Sequence, residues 1–487
     1  MNIDLLNTLF DRAAMTALGP MLALSIGALL LLLCGIVTVP AIVRCVVVVA
    51  TLAVSAAMQV RMLMASEMPG AVLDGTFVAD RATAVWGLIF VAVTALAWAY
   101  SRHYYAEDKP FQNEHDVLML VTAVGMSLMA GAQDLIVFFI GLELLSIPLY
   151  ALAAFRRNRT TSVEAGLKYF LLGAFAAAFF LYGAALLYTS TGTLSIAKLS
   201  QAPLASRLAE SPLALVGMAL IVASLFFKVS VFPFHIWVPD VYEGSPTPVT
   251  GLMATGTKAA AFAFVLNAVV LLPHASAPSV AWIAVLTMAA GNFGALAQTD
   301  FKRMLAYSGV AHAGTLLLAV AGAVAGDSQA HGALQASLFY MAAYVATAGG
   351  AFGLIALLEQ EGEHMTSVDS LRGLGRRRPY VASALTLFML SLGGIPATGG
   401  FLGKYLVFAV AVRAHMVPMA VLGVLLSVIA LGYYLRIIVA MWMQPPLADA
   451  PQPSTHALVV PAAIATTVCA VLVLALGVLP GWFLALV

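Results

Sequence analysis

The stretch from Phe226 to Gly244, FFKVSVFPFHIWVPDVYEG, decides how the rest of the chain is read. An apolar run carries a lysine, Lys228, and meets a helix breaker, Pro233, five residues later. Inside a bilayer a charge and freed backbone groups are both costly, so a segment that carries the two together marks a site with a task.

Composition places that segment in a membrane. Of 487 residues, 62% are hydrophobic and only 9% charged, against about 25% charged in ordinary soluble domains. The formal net charge of +1 supplies no basic surface, and nucleic acid drops out as a partner. Cys34, Cys45 and Cys469 lie in apolar runs without C-x-x-C spacing and read as small core residues. No two histidines fall four residues apart, no G-x-G-x-x-G opens a helix after a strand, and no Walker lysine is present. The sequence thus carries no recognisable nucleotide, flavin or metal site. Asp4, Asp11 and Arg12 precede the first apolar run, a pattern unlike a cleaved signal peptide.

A membrane span needs about 20 mostly apolar residues, and that rule places about fourteen. They fall near 17–39, 42–64, 78–100, 116–133, 135–155, 164–189, 213–232, 249–272, 279–299, 303–325, 331–358, 380–412, 417–443 and 457–485. The expected fold is an all-α, multi-pass membrane protein with no soluble domain. Positive residues are retained on the cytoplasmic side. With the N-terminus outside, twelve lysines and arginines fall in inner loops, among them Arg156, Arg157, Arg159, Lys302, Arg303 and Arg376, against six outside. This predicts a multi-pass protein of the bacterial plasma membrane with both termini on the periplasmic side.

The chain also reads as doubled. The span broken at Pro233 is followed five spans later by LSLGGIPATGGFLGKYLVF, broken at Pro396 and carrying Lys404. An odd number of spans between equivalent helices inverts the second copy, which is the logic of many transporters. The expected division is 1–115 for three leading helices, 116–272 and 273–443 for two inverted five-helix repeats, and 444–487 for a last helix.

Five basic residues remain inside spans: Lys168, Lys228, Lys258, Lys404 and Arg436, joined by one acid, Glu143, read as well buried. A carboxylate at mid-membrane costs about 2.5–3.5 kcal/mol on insertion scales, so Glu143 should be paired or face water. An ion pair that merely locks two helices is the alternative. Lys228 could snorkel if its helix stopped at Pro233, but HIWVPDVYEG continues past the break and keeps it near mid-depth. The break frees carbonyls in the turn before Pro233, and His235 falls within reach of the same polar pocket. Lys258 lies about ten residues from either flank, beyond easy snorkelling, beside Thr255, Gly256 and Thr257. Lys404 follows the Gly-rich break. His312 lies between the lysine-bearing spans, while Lys168, four residues after Glu164, is explained nearly as well by a surface pair. Arg436 holds its proton too tightly for a relay and should snorkel or pair. Burial makes a lysine's charge costly and a nearby acid restores it, so a moving partner can switch the group. This is relay chemistry: Glu143 modulates Lys228, Lys258 hands the proton along, and Lys404 exchanges it with one aqueous side. An interior rich in lysine also repels Na⁺.

GLELLSIPLYALAAF, EAGLKYFLLGAFAAAFFLYGAALLY, FKVSVFPFHIWVPDVYEGSPTPVTG, DFKRMLAYSGVAHAG and GIPATGGFLGKYLVF, in this order, resemble the subunit N family of proton-pumping NADH:quinone oxidoreductase, respiratory complex I. The resemblance covers about residue 20 to the C-terminus. It implies fourteen helices, inverted repeats and a place in the membrane arm beside sister antiporter-like subunits and lipids. It further implies that NADH, FMN, iron–sulfur clusters and quinone belong to partner subunits. By motif match, Glu143, Lys228, Lys258 and Lys404 would carry the proton path, with His235, His312 and Lys168 in support. Lysine at 404, where a sister subunit has glutamate, and the lack of a long C-terminal amphipathic helix favour this family over its sisters. Gly309 departs from a frequent serine. The rival is a subunit of a multisubunit Na⁺/H⁺ antiporter, which shares the broken helices and lysines; a passive scaffold leaves the intramembrane charges unexplained.

Overall fold

The computed structural model describes residues 11–37, 39–105, 112–201, 204, 210–359, 367–446 and 460–486. The chain forms a helical bundle in which length follows the apolar runs. In order come α1 (Arg12–Ile36), α2 (Ala41–Met64), α3 (Arg81–Tyr104), α4 (Gln112–Gly131), α5 (Leu135–Ala153) and α6 (Thr160–Thr191). The first broken helix follows as α7 (Pro212–Val229) and α8 (Trp237–Gly244). Next are α9 (Thr247–Leu271), α10 (His274–Leu296), α11 (Phe301–Ala325) and α12 (Ser328–Glu359). A second broken pair, α13 (Pro379–Gly393) and α14 (Gly399–Arg413), precedes α15 (Val417–Met443) and α16 (Val460–Val478). Among the described residues, twelve of these helices are long and apolar enough to cross a membrane. The spans expected at 116–133 and 380–412 correspond to α4, which opens on polar QNEHD, and to the α13–α14 pair.

Helix α11 is the axis of the bundle. Every residue from Ser308 to Val324 is buried, because small and aliphatic side chains cover all of its faces. It packs against α10, α12, α8 and α14. On the outer helices the pattern reverses: Leu29, Leu33, Val46 and Phe175 are exposed apolar side chains, as a helix facing lipid or another apolar chain requires. Cys34 and Cys45 sit on α1 and α2, which the chain covers on one side only, and both are half-exposed. Only Cys469 lies in the core, contrary to the expectation for all three.

One element departs from the all-helical expectation. Gly70–Val72 and Phe77–Ala79 pair as an antiparallel hairpin in the register Gly70↔Ala79 and Val72↔Phe77. The turn between them holds Leu73, Asp74 and Gly75 at positive φ, and this Asp-Gly signal was legible in the sequence. The hairpin displaces the start of α3 from 78 to Arg81.

Candidate functional site

Both helix breaks begin earlier than their prolines. Helix α7 ends at Val229, where Ser230 turns left-handed at φ 68°; its N–H donates to the Phe227 carbonyl at 3.1 Å, and the Val231 N–H reaches Phe226 at 2.9 Å. This C-cap ends the helix before Pro233 can. The Phe227 carbonyl also accepts the Trp237 indole N–H at 3.1 Å, so the break is satisfied from beyond itself. In the second pair Gly394 takes the left-handed position at φ 84°, two residues before Pro396, and Ala397 follows at φ 68°. The halves rejoin closely: a Cβ on Gly400 would stand 1.9 Å from the Ser391 carbonyl oxygen.

Three lysines turn inward from these elements. Lys228 donates to the Ser146 hydroxyl at 2.7 Å and to the Tyr169 hydroxyl at 3.3 Å. Lys258 is 1% exposed. It follows directly on a π-helical turn, Met253–Thr257, and its ammonium donates to the Tyr242 hydroxyl at 3.2 Å, 5.3 Å from that ring's centre. Such wide turns recur at functional sites, and a second, Val345–Gly349, interrupts α12. Lys404 reaches back across its break to the carbonyls of Leu392 at 2.9 Å and Gly393 at 3.1 Å. All three therefore rest on neutral oxygens. Among the described residues, none of the three has a carboxylate within ion-pair distance.

The remaining sequence candidates divide. Glu143 is half-buried rather than well buried, because α5 lies at the side of the bundle; its Oε1 is nevertheless shielded and, among the described residues, without a hydrogen-bond partner. It shares a cavity of about 10 Å³, the room of one water, with Lys228, Ser146 and Tyr150. His312 bonds the Tyr340 hydroxyl through Nδ1 at 2.5 Å and the Tyr434 hydroxyl through Nε2 at 3.2 Å. It shares a second cavity of about 10 Å³ with Lys404, Thr315 and Tyr434. Between them, a Cβ on Gly309 would lie 3.2 Å from the Tyr344 hydroxyl and 3.4 Å from the Lys258 ammonium, so glycine keeps the two open to each other.

His235 does not join this group. It does not line the Lys228 cavity, and its ring leans on Phe232, because the chain leaves the bundle interior after Val231. Lys168 is 43% exposed and pairs with Glu164 at 2.8 Å and with Asp240 of α8 at 3.2 Å, where Arg303 also binds Asp240 at 2.7 Å. These pairs tether the short helix beyond the break. Arg436 donates to the Leu296 and Gln298 carbonyls, capping the end of α10.

Sequence reasoning missed the aromatic hydroxyls. Tyr169 stacks on Trp237 at 4.8 Å, Trp237 meets Tyr242 edge-on at 6.1 Å, and Tyr344 lies 4.9 Å from His312. Their signal was a tyrosine inside an otherwise apolar span, where the buried hydroxyl needs a partner.

The assembly defines a class: multi-pass helical membrane proteins whose interior holds lysines beside two interrupted helices. Residues 132–430 match the family described as NADH:quinone oxidoreductase/Mrp antiporter, TM. A curated relative from Trichlorobacter lovleyi, NADH-quinone oxidoreductase subunit N, is 44% identical over 76% of this chain and 75% of its own. A chain of respiratory complex I from Thermus thermophilus with bound aureothin superposes with a TM-score of 0.79 at 36% identity, over 96% of this chain and 98% of that one. A chain of the Mrp complex from Dietzia sp. shares the fold, with a TM-score of 0.83 at 23% identity, over 97% and 96% of the two chains. The chain belongs to the NADH:quinone oxidoreductase/Mrp antiporter transmembrane family.

Proposed function

We propose that the chain is a proton-translocating membrane-arm subunit of NADH:quinone oxidoreductase, with NADH, FMN, iron–sulfur and quinone chemistry carried by partner subunits. The fold is shared with Mrp-type chains and does not choose between the two branches, whereas the high identity to subunit N relatives favours complex I. The observation that carries the mechanism is the placement of Lys228, Lys258 and Lys404 on hydroxyls and carbonyls, with no acid among the described residues bound to them. A lysine held by neutral partners can gain or lose a proton without stranding a buried opposite charge. Na⁺ would meet the positive charge of these lysines, which repels it.

In this reading Glu143 exchanges charge with Lys228 through the small cavity they share, Lys258 takes the proton on beside Gly309, and His312 passes it to Lys404. His235 and Lys168 act at the margin of that line. The fourteen-span topology with both termini periplasmic, and the repeats 116–272 and 273–443 between 1–115 and 444–487, belong to the same proposal. The matched left-handed breaks at Ser230 and Gly394 support the repeat.

The test is Lys258→Ala in the assembled complex reconstituted in vesicles. Proton pumping, and the quinone reduction coupled to it, should fall sharply. Full pumping in an assembled variant would end the relay reading, and Na⁺ uptake linked to NADH oxidation would favour the antiporter branch.

A further inference from the structure

A second charged site sits at the foot of the helices that carry the lysines. Glu359 closes α12 and is 7% exposed, and Lys302 of α11 is 2% exposed. The Glu359 carboxylate accepts hydrogen bonds from the Tyr104 hydroxyl of α3 at 3.3 Å and from the Thr247 hydroxyl that opens α9. Among the described residues, two cations stand farther off: Arg159, just before α6, at 3.5 Å and Lys302 at 4.0 Å. Lys302 makes its short bond elsewhere, to the Ser245 carbonyl at 2.8 Å. The Ser245 hydroxyl is buried with no hydrogen-bond partner among the described residues. Of the two cations, Arg159 reaches the surface, with 37% of its side chain exposed.

Five helices thus converge on one carboxylate, but not as a lock. Neither cation makes the close bidentate pair that would clamp the helices together; they stand at 3.5 and 4.0 Å. The nearest partners are neutral hydroxyls, which can donate or accept, so the carboxylate can take up and release a proton with its partners still in place.

From Thr247 the way leads along α9. Gly251 lies one turn on, Thr255 one turn further, and Lys258 almost another, all of them buried. A cavity of about 10 Å³ opens against Gly251 and Thr255, walled also by Tyr100 and by apolar residues of α3 that include Val93 and Leu96, and has the room of a single water. The π-helical turn falls at that level, so the backbone there departs from regular α-helical pairing.

We propose that Glu359 is the proton-intake carboxylate of this chain, feeding Lys258 from the arginine-bearing surface by way of Thr247 and a water held between Gly251 and Thr255. The inference rests on the relay reading above. A proton from bulk water binds a Glu359 oxygen to give the neutral acid. That O–H bond breaks as the Thr247 hydroxyl and the cavity water each accept one proton and release another, and an N–H bond closes on the neutral Lys258 amine. Glu359 returns to carboxylate and Lys258 gains one positive charge.

The experiment compares Glu359→Gln, Glu359→Asp and Lys258→Ala in the full complex, reconstituted in vesicles, reading protons pumped per NADH oxidised. Glutamine keeps one acceptor oxygen and sets an amide N–H against the other hydroxyl, which can turn to accept it, but it cannot carry a proton. E359Q should assemble, oxidise NADH with an artificial acceptor at the normal rate, and lose most of its pumping, while E359D retains it. Normal pumping in E359Q beside a collapse in K258A overturns the intake site and leaves the relay standing. Normal pumping in both overturns the relay itself. If E359Q does not assemble, Thr255→Val decides: it removes the cavity hydroxyl at nearly constant volume, and unchanged pumping there also overturns the proposal.

Discussion

Tyr242→Phe isolates one hydrogen bond in the lysine line. The ring of Tyr242 is fully buried, and the Lys258 ammonium sits over it, 5.3 Å from its centre. Phenylalanine keeps that ring, its volume and its edge contact with Trp237, so packing survives. What is lost is the hydroxyl that accepts from Lys258 at 3.2 Å. A hydrogen bond to a charged group is worth about 1.5–3 kcal/mol, and each 1.36 kcal/mol is a factor of ten in a protonation equilibrium. The protonation equilibrium of Lys258 should therefore shift roughly ten- to hundredfold toward the neutral amine. If every proton passes through Lys258, pumping in reconstituted vesicles falls toward that limit while NADH oxidation by an artificial acceptor holds. The assay separates this from misassembly, because the variant must first be shown intact by native electrophoresis. An intact Y242F complex that pumps at the parental rate would refute the claim that the Tyr242 hydroxyl supports the charged lysine.

Gly400→Ala should block assembly of the subunit, because its Cβ would meet the Ser391 carbonyl at 1.9 Å and backbone on both sides leaves nothing flexible to yield. Native electrophoresis of membranes reads this directly, and a normally assembled G400A complex would contradict the close packing of α13 on α14. Lys168→Ala removes two exposed ion pairs, each worth about 0–1 kcal/mol, and should leave pumping within about twofold of the parent. A collapse comparable to that of Lys258→Ala would place Lys168 in the line after all.

The fold was legible because lipid imposes a single rule on each span, and apolar length alone reveals it. The α7 and α13 breaks were visible as Pro233 and Pro396, although the helices stop at Ser230 and Gly394, where a left-handed cap comes first. Lys228, Lys258 and Lys404 stood out because a charge in an apolar run has no cheap explanation. What stayed hidden was every group whose meaning depends on contact. Tyr169, Tyr242 and Tyr344 are ordinary span residues until a lysine or histidine turns toward them. Glu359 falls just past the span expected at 331–358, and its burial comes from Tyr104 and Thr247, residues 255 and 112 positions away. Glu143 erred in the opposite sense, since depth along a helix says nothing about which side of the bundle that helix occupies.

The two outer lysines use their breaks differently and arrive at the same arrangement. An ammonium has three donors. Lys228 lies before its break, where the freed Phe227 carbonyl is already taken by Trp237, and it places two donors on the hydroxyls of Ser146 and Tyr169. Lys404 lies after its break and places two donors on the Leu392 and Gly393 carbonyls that the break released. In each case two donors are fixed, and the amine also lines a cavity that holds one water, shared with Glu143 at one end and with His312 at the other. A proton handed over from the third donor leaves the other two bonds intact, so the side chain need not swing for the charge to move. At Lys404 the broken helix then serves less as a hinge than as a way of supplying oxygen at a depth where regular backbone has none to spare, while at Lys228 side-chain hydroxyls do the same.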